Sequence, residues 1–197
     1  MSTAAYCAAV TWTPTENAEI ARGLRRRDPD LLDHLIEQYQ HRLFRYLVHV
    51  TGDRQLSEDL FQETWLRVLE RGRQYDGRHA FVAWLLGIAR NLAIDTVRRK
   101  RPASLDELLD STEHEPLPVT DAAPGPFDRL FTAEQRLHVA GALDHLPAAY
   151  REVLVLRFQE ELPLEEIARV VAAPLSTVKS RLYRALEALA PLLEDAR

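Results

Sequence analysis

The chain has 197 residues, of which 46% are hydrophobic, so it is long enough for one or two domains with buried cores. Its 30 Asp and Glu outnumber 25 Lys and Arg, so the net charge of -5 gives no overall positive excess of the kind typical of nucleic-acid binders. No apolar run approaches the roughly 20 residues of a membrane span, no secretory signal is evident and Cys7 is the only cysteine, which together predict a cytoplasmic protein without disulfides.

The first half of the chain begins with two predicted helices. A short helix is expected around residues 18–26, after a flexible extension at residues 1–15. Asp28 can cap the next helix with its carboxylate. Pro29 follows in the first turn, where the missing N–H of proline costs nothing, and also indicates a helix start. Apolar residues then recur at helical spacing until Gly52, which predicts a long amphipathic helix ending there.

Two further helices complete the first half. Asp53 can cap a third helix that ends by Gly72, and a fourth is predicted from about His79 to Arg101, where Pro102 stops it. The fourth helix has a broad apolar stripe formed by Phe81, Trp84, Leu85, Ile88 and Leu92. The first half is therefore predicted to be a helical domain over residues 16–102.

An acidic segment follows this domain. Residues 103–128 contain seven acidic residues and no Lys or Arg, together with several prolines, directly after the basic run at residues 98–101. Such a composition does not favour regular structure. It predicts a linker over residues 103–127 between two helical domains, the second covering residues 128–197.

The second half ends in a predicted helix-turn-helix at residues 162–189. Before it, helices are expected over residues 127–143 and from about Pro147. Pro174 stops the first helix of the motif, and Ser176 can cap the second. The second helix has an apolar face for a core and an opposite face that carries bases without acids: Thr177, Lys179, Ser180, Arg181 and Arg184. This basic face suits DNA, although a solvated surface of an ordinary helix pair gives the same pattern.

Enzyme and metal motifs are missing from the sequence. A single cysteine cannot form a zinc cluster, no H-E-x-x-H occurs, and the carboxylates Glu58, Asp59 and Glu63 have no histidine at Glu-x-x-His spacing. No Gly-rich phosphate loop or nucleophile motif is present. We therefore predict no catalysis, no metal and no cofactor.

Three segments in this order resemble a known family. Residues 57–70, residues 79–102 and, after the acidic linker, residues 162–189 are similar to the bacterial RNA polymerase sigma-70 family, and the compact form resembles its extracytoplasmic-function group. The resemblance extends from about residue 18 to residue 189. It implies an all-α, two-domain transcription initiation factor whose partners are core RNA polymerase and promoter DNA. An anti-sigma factor is a further candidate partner.

The resemblance also implies roles for individual residues. It implies that Asp59, Gln62 and Glu63 dock on the polymerase clamp. Without the resemblance, the same residues would be interpreted as a solvated acidic face. It implies that a loop and the fourth helix contact the -10 element of the promoter, through Tyr75, Arg78, His79, Arg90, Asn91, Asp95, Arg98 and Arg99. Contacts to the -35 element fall to Ser176, Thr177, Lys179, Ser180, Arg181 and Arg184. The linker would occupy the polymerase channel toward the active centre.

The sequence departs from the family pattern in the helix-turn-helix. Ala172 and Ser176 stand where the family usually has Gly, and Ala at a position with positive φ costs on the order of 1 kcal/mol. The alternative from another class is a self-contained helix-turn-helix regulator whose first half senses a signal or dimerises. Such a protein binds its DNA site alone, whereas a sigma factor depends on core polymerase. An all-helical adaptor without DNA contacts is disfavoured by the basic face.

Overall fold

The computed structural model describes residues 14–100, 141–143 and 145–194. All regular structure within these ranges is helical, which confirms the predicted all-α class. Cys7, nearly all of the predicted extension, the acidic linker and most of the helix predicted at residues 127–143 lie outside them. None of the described helices is both long and apolar enough to cross a membrane.

Four helices form what we call the N-terminal unit. They are α1 (Pro14–Arg26), α2 (Pro29–Thr51), α3 (Arg54–Arg71), which continues into a 3-10 turn (Gly72–Gln74), and α4 (Phe81–Lys100). Helix α1 begins four residues earlier than predicted, at a proline whose fixed φ suits a first turn. The other three helices begin and end close to their predicted limits.

Side-chain caps define where α2 and α3 begin. The Asp28 carboxylate accepts hydrogen bonds from the backbone N–H groups of Asp30 (3.1 Å) and Leu31 (3.4 Å), and Asp53 accepts one from the N–H of Leu56 (3.0 Å). Between them Gly52 ends α2 in the left-handed region, at φ 64°, and its N–H donates to the Val48 carbonyl. The predicted caps at Asp28 and Asp53 and the stop at Gly52 are confirmed.

Among the described residues, three further helices follow the helical residues 141–143 and form what we call the C-terminal unit. They are α5 (Ala148–Leu154), which continues into a π-helical turn (Val155–Gln159), α6 (Leu164–Val170) and α7 (Leu175–Glu194). Helices α6 and α7 pack on each other across a short turn, which confirms the predicted helix-turn-helix. The turn places Ala172 at φ 50°, in the left-handed region that favours Gly.

The two units pack together in this structure. Helices α2, α3 and α4 pack on one another, α6 lies directly on α4, and α5 contacts α2. Buried apolar side chains of both units, such as Leu85 and Leu86 of α4 and Leu156 and Ile167 of the C-terminal unit, belong to one continuous cluster. The C-terminal unit is therefore held against the α4 side of the N-terminal unit.

Candidate nucleic-acid interface

Helix α7 presents the predicted basic face to solvent. Lys179, Ser180 and Arg184 are exposed, and Thr177 and Arg181 are half-buried. On the opposite side Val178 and Ala185 are fully buried against α5 and α6. The apolar side thus fixes the helix while its polar side stays available, which is the arrangement that a helix needs to enter a DNA groove.

The predicted cap of α7 is wrong by two residues. The helix begins at Leu175, and the Val178 N–H already donates to the Pro174 carbonyl at 3.1 Å. Pro174 therefore occupies the cap position, since the fixed φ of proline is compatible with a helix start. Ser176 lies in the first turn, where it is exposed at the end of the helix that would approach DNA.

A second exposed surface runs along α3. Asp59 and Gln62 are exposed, and half-buried Glu63 forms an ion pair with Arg67 at 2.9 Å between Oε1 and Nε. Leu66 continues this face at positions i+4 and i+7 from Gln62 and Asp59, and 54% of its surface is exposed. An exposed leucine beside acceptors is the feature that the sequence interpretation missed, although its helical spacing could have revealed it.

The loop between α3 and α4 is tightly constrained. The Tyr75 ring is buried against Phe81 and Trp84, with centroids 5.5 and 5.2 Å away, and its hydroxyl donates to the His79 carbonyl at 2.6 Å. Burial raises the pKa of the Tyr75 hydroxyl well above its usual value. The predicted contact of Tyr75 with the -10 element does not fit this geometry, because the ring is packed and the hydroxyl is bonded within the loop.

The tip of the same loop is exposed. Arg78 points into solvent, and its backbone N–H donates to the Asp76 carboxylate at 2.9 Å, a bond that lowers the pKa of Asp76. Gly77 has φ 77°, and a Cβ there would meet the Asn17 carbonyl oxygen at 2.8 Å, so a side chain is excluded. His79 lies at the inner end of the loop, with Nδ1 3.6 Å from Glu166 Oε1 of α6.

Four of the five α4 residues predicted to contact DNA lie on the surface. Asn91, Asp95, Arg98 and Arg99 are exposed, and their spacing of four, three and one residues places them along one side of the helix. The Arg99 Nε donates to the Asp95 backbone carbonyl at 3.1 Å. This side of α4 therefore offers an amide, two guanidinium groups and a carboxylate together.

Arg90 is the fifth, and the structure does not place it on the surface. Its Nε donates to Glu152 Oε1 of α5 at 2.8 Å and its Nη2 to Glu152 Oε2 at 3.3 Å. Burial tends to lower the pKa of Arg90, but the paired carboxylate outweighs this and the net pKa is raised. The prediction that Arg90 is available to DNA is wrong for this arrangement, because its donors are used by the C-terminal unit.

Within the described ranges, no group of three or more His, Cys, Asp or Glu side chains is arranged to hold a metal ion. The buried glutamates Glu152 and Glu160 are instead paired with arginines. The arrangement offers surfaces for macromolecular contacts.

Comparisons with known proteins match both halves of the chain. The model of Sigma-70 region 2 matches residues 35–103, and that of Sigma-70 region 4 matches residues 136–189. The ECF RNA polymerase sigma factor SigW of Bacillus subtilis is 31% identical over 175 residues, which cover 87% of this chain and 94% of SigW. The RNA polymerase sigma-H factor of Pseudomonas aeruginosa is 30% identical over 191 residues, covering 93% of this chain and 99% of that factor.

A solved structure shares the fold. The sigma factor RpoE of Bartonella quintana, crystallised in complex with the anti-sigma factor NepR, superposes with a TM-score of 0.65 at 21% identity. The match covers 84% of this chain and 98% of that one.

Proposed function

We infer the function first from the family: the chain belongs to the extracytoplasmic-function group of the bacterial sigma-70 family. It is an alternative sigma factor that directs transcription initiation. The observation that carries the function of the second half is α7, whose apolar side is buried while its polar, basic side is exposed in a helix-turn-helix. Family members act as regulators rather than enzymes, and we assign this chain no catalytic step, no cofactor and a cytoplasmic location with its polymerase.

The first test separates a sigma factor from a self-contained regulator. A labelled promoter duplex is incubated with the chain alone and with the chain plus core polymerase, and the complexes are resolved in a gel. We expect a specific shift only when core polymerase is present, since a sigma factor binds promoters weakly until polymerase positions both of its domains. An equally tight, specific shift by the chain alone would instead identify a self-contained regulator.

We assign polymerase docking to the exposed face of α3. Asp59, Gln62 and Glu63 supply acceptors, and Leu66 supplies an apolar contact beside them, a combination that suits a basic, partly apolar helical partner. The triple replacement by Ala should weaken capture of core polymerase while helical content is retained. An equivalent acidic and amide set on α2, namely Asp33, Glu37 and Gln38, is also exposed and provides the matched control.

We assign -10 contacts to the exposed side of α4 and the loop before it. Asn can form paired hydrogen bonds to adenine, and Arg can bind phosphate or guanine. We therefore propose Asn91, Arg98 and Arg99 as the direct contacts. Arg78 and His79 are proposed to hold a flipped base of the -10 element, and Tyr75 is proposed to position the loop. Asp95 lies beside Arg99 and is proposed to orient its neighbours.

Promoter opening tests this assignment. Replacing Asn91, Arg98 and Arg99 by Ala should preserve polymerase capture but reduce permanganate-reactive thymines at the start site. A template already unpaired across the -10 region should recover part of the lost transcription, because the unstacking cost of a few kcal/mol is removed in advance. Normal opening by the triple variant would exclude α4 from this role.

We assign -35 contacts to the exposed side of α7. Lys179, Arg181 and Arg184 carry positive charge for phosphates or guanine, and Ser176, Thr177 and Ser180 add hydroxyl groups near the start of the helix. An anti-sigma factor is proposed as a further partner, because the similar RpoE was crystallised with one.

A further inference from the structure

Exposed arginines gather where α1 ends and in the turn that packs on it. Four of them lie in the last turns of α1 or directly follow it, and two flank Gly72 where α3 ends. A Cβ on Gly72 would lie 3.1 Å from the Leu24 Cβ, so this turn lies directly on the last turn of α1. We call the six residues the arginine patch: Arg22, Arg25, Arg26, Arg27, Arg71 and Arg73.

Most of the arginine patch carries uncompensated positive charge. Arg22 lies 3.7 Å from Glu19, but among the described residues the other five arginines pair with no carboxylate. Two nearby acids are engaged elsewhere, since Asp28 caps α2 and Glu70 pairs with Arg67 at 3.1 Å. In a chain with a net charge of -5, such a local excess of positive charge suits an anionic partner.

The arginine patch is continuous with the loop proposed to hold a flipped base. Gly77 of that loop packs on α1, where a Cβ would lie 3.2 Å from the Ala18 Cα. Ala18, Arg22 and Arg25 follow one another at intervals of four and three residues, so they form a row along one side of α1. At 1.5 Å per residue, Arg22 lies about 6 Å and Arg25 about 10 Å from Ala18 along the helix. The row therefore begins at the loop and leads away from it.

This row lies on the downstream side of the loop when α4 holds the -10 element. Helix α4 starts after the loop and ends at Lys100, where the chain continues toward the unit proposed to bind the upstream -35 element. Arg98 and Arg99 thus lie upstream, about 25 Å along α4 from its loop end. Helix α1 packs chiefly on α2 and on the turn after α3, so a strand that crosses the loop continues onto α1.

The chemical group that fits the row is the phosphate of that strand. A guanidinium can bind a phosphate through two parallel hydrogen bonds, and phosphate contacts carry no base information. A row about 10 Å long spans about three nucleotides of a stacked strand, at about 3.4 Å each. The same arginines could instead only complement the negative C-terminal ends of α1 and α3, a role that predicts loss of stability without loss of binding.

We propose that the arginine patch holds the phosphate backbone of the melted strand just downstream of the -10 element, without reading its sequence. Arg22 and Arg25 make the first contacts beyond the loop. The inference rests on the proposed function, because it takes α4 and the loop as the -10 contacts. The patch slows reclosure of an opened promoter, since each held phosphate must be released before the strands pair again.

Oligonucleotide length tests this contact in the full chain bound to core polymerase. A labelled single strand that ends with the -10 element is compared with one that carries a few further nucleotides downstream, over a range of salt concentrations. In Arg22→Ala with Arg25→Ala, the salt slope for the extended strand should fall by about 1.4, or about 0.7 per lost phosphate contact. The advantage of the unchanged chain then shrinks about sevenfold between about 50 mM and 200 mM salt. Binding of the short strand should not change.

Arg22→Lys with Arg25→Lys is the matched control, because it keeps both charges at the same positions and should retain most of the slope. If the Ala pair binds the extended strand with the unchanged slope, the proposal is overturned while the -10 assignment stands. If the short strand fails to bind even the unchanged complex, the -10 assignment fails and the inference falls with it. A change of the downstream bases should leave the slope difference as it is, and a difference confined to one sequence would overturn a contact to phosphates alone.

The lifetime of the open promoter gives a second readout. Preformed open complexes are challenged with heparin, and the Ala pair should shorten their half-life severalfold while capture of core polymerase is unchanged. Reduced capture would identify the arginine patch as a protein contact and overturn the assignment to DNA. A lower melting temperature of the chain with an unchanged half-life would assign these arginines to the helix ends, which also overturns the proposal.

Discussion

Replacing Ala172 by Gly should stabilise the helix-turn-helix. Ala172 is exposed and lies at φ 50°, a conformation that crowds Cβ against the backbone. Glycine has no Cβ, so the strain is absent in the variant. Because the Ala172 methyl group is exposed, its removal costs little packing.

The size of the effect follows from two opposing terms. The left-handed conformation costs a residue with a Cβ about 1–2 kcal/mol, and Gly loses about 0.4–1 kcal/mol of that gain through the greater freedom of its unfolded chain. The net expectation for Ala172→Gly is a stabilisation of about 0.5–1 kcal/mol. For a chain of this size that corresponds to a rise in melting temperature of a few degrees, at about 2–4 °C per kcal/mol.

The assay is urea or thermal unfolding of the full chain followed by its helical signal. Ala188→Gly is the matched control, since Ala188 is exposed inside α7, where Gly costs about 1 kcal/mol relative to Ala. The two variants make the same chemical change and should shift stability in opposite directions. If Ala172→Gly destabilises the chain as Ala188→Gly does, the left-handed strain assigned to the turn is wrong.

Three other predictions concern caps, charge and pH. Asp53→Ala removes the acceptor of the Leu56 N–H and should lower the free energy of unfolding by about 1 kcal/mol in urea titrations; no loss would deny the cap a role. If Arg184 contacts a phosphate, Arg184→Ala should reduce the salt slope of -35 binding by about 0.9, whereas unchanged affinity and slope would mark this part of the face as merely solvated. Burial, followed by the nearby Glu152 carboxylate, raises the pKa of Tyr46 well above 10.0, so the unfolded chain ionises first and stability is lost as pH rises above that value. Tyr46→Phe should make this alkaline loss less steep, and an identical pH dependence in both proteins would contradict the assignment.

Local signals in the sequence predicted much of the fold. Caps and stops such as Asp28, Gly52 and Asp53 act within a few residues of themselves, so their effect could be inferred from spacing alone. The start of α7 was misplaced because Pro174 can both end the preceding segment and precede a helix, and the sequence pattern does not distinguish the two roles. The periodicity of α7 does predict its basic face. Apolar residues at helical spacing mark the buried side, so the basic residues between them lie on the exposed side.

The burial of Arg90 and Tyr75 could not be predicted in the same way. The partner of Arg90 is 62 residues away in the chain, and no helical spacing links an arginine of α4 to a glutamate of α5. Tyr75 lies in a loop, where periodicity gives no indication of which side chains pack. The burial of each residue depends on how the helices pack in three dimensions. In contrast, Asn91, Asp95 and Arg98 share one side of α4 because of the helical period alone.

The ion pairs between the two units specify how these units pack. Buried ion pairs stabilise an interface no more than apolar side chains of similar volume, because desolvation offsets most of the attraction, but they penalise every packing that leaves a charge unmatched. Glu152 pairs with Arg90, and Glu160 pairs with Arg42 and Arg45. These pairs therefore favour the packing in which each carboxylate meets its arginine partners, over others that bury the same apolar side chains.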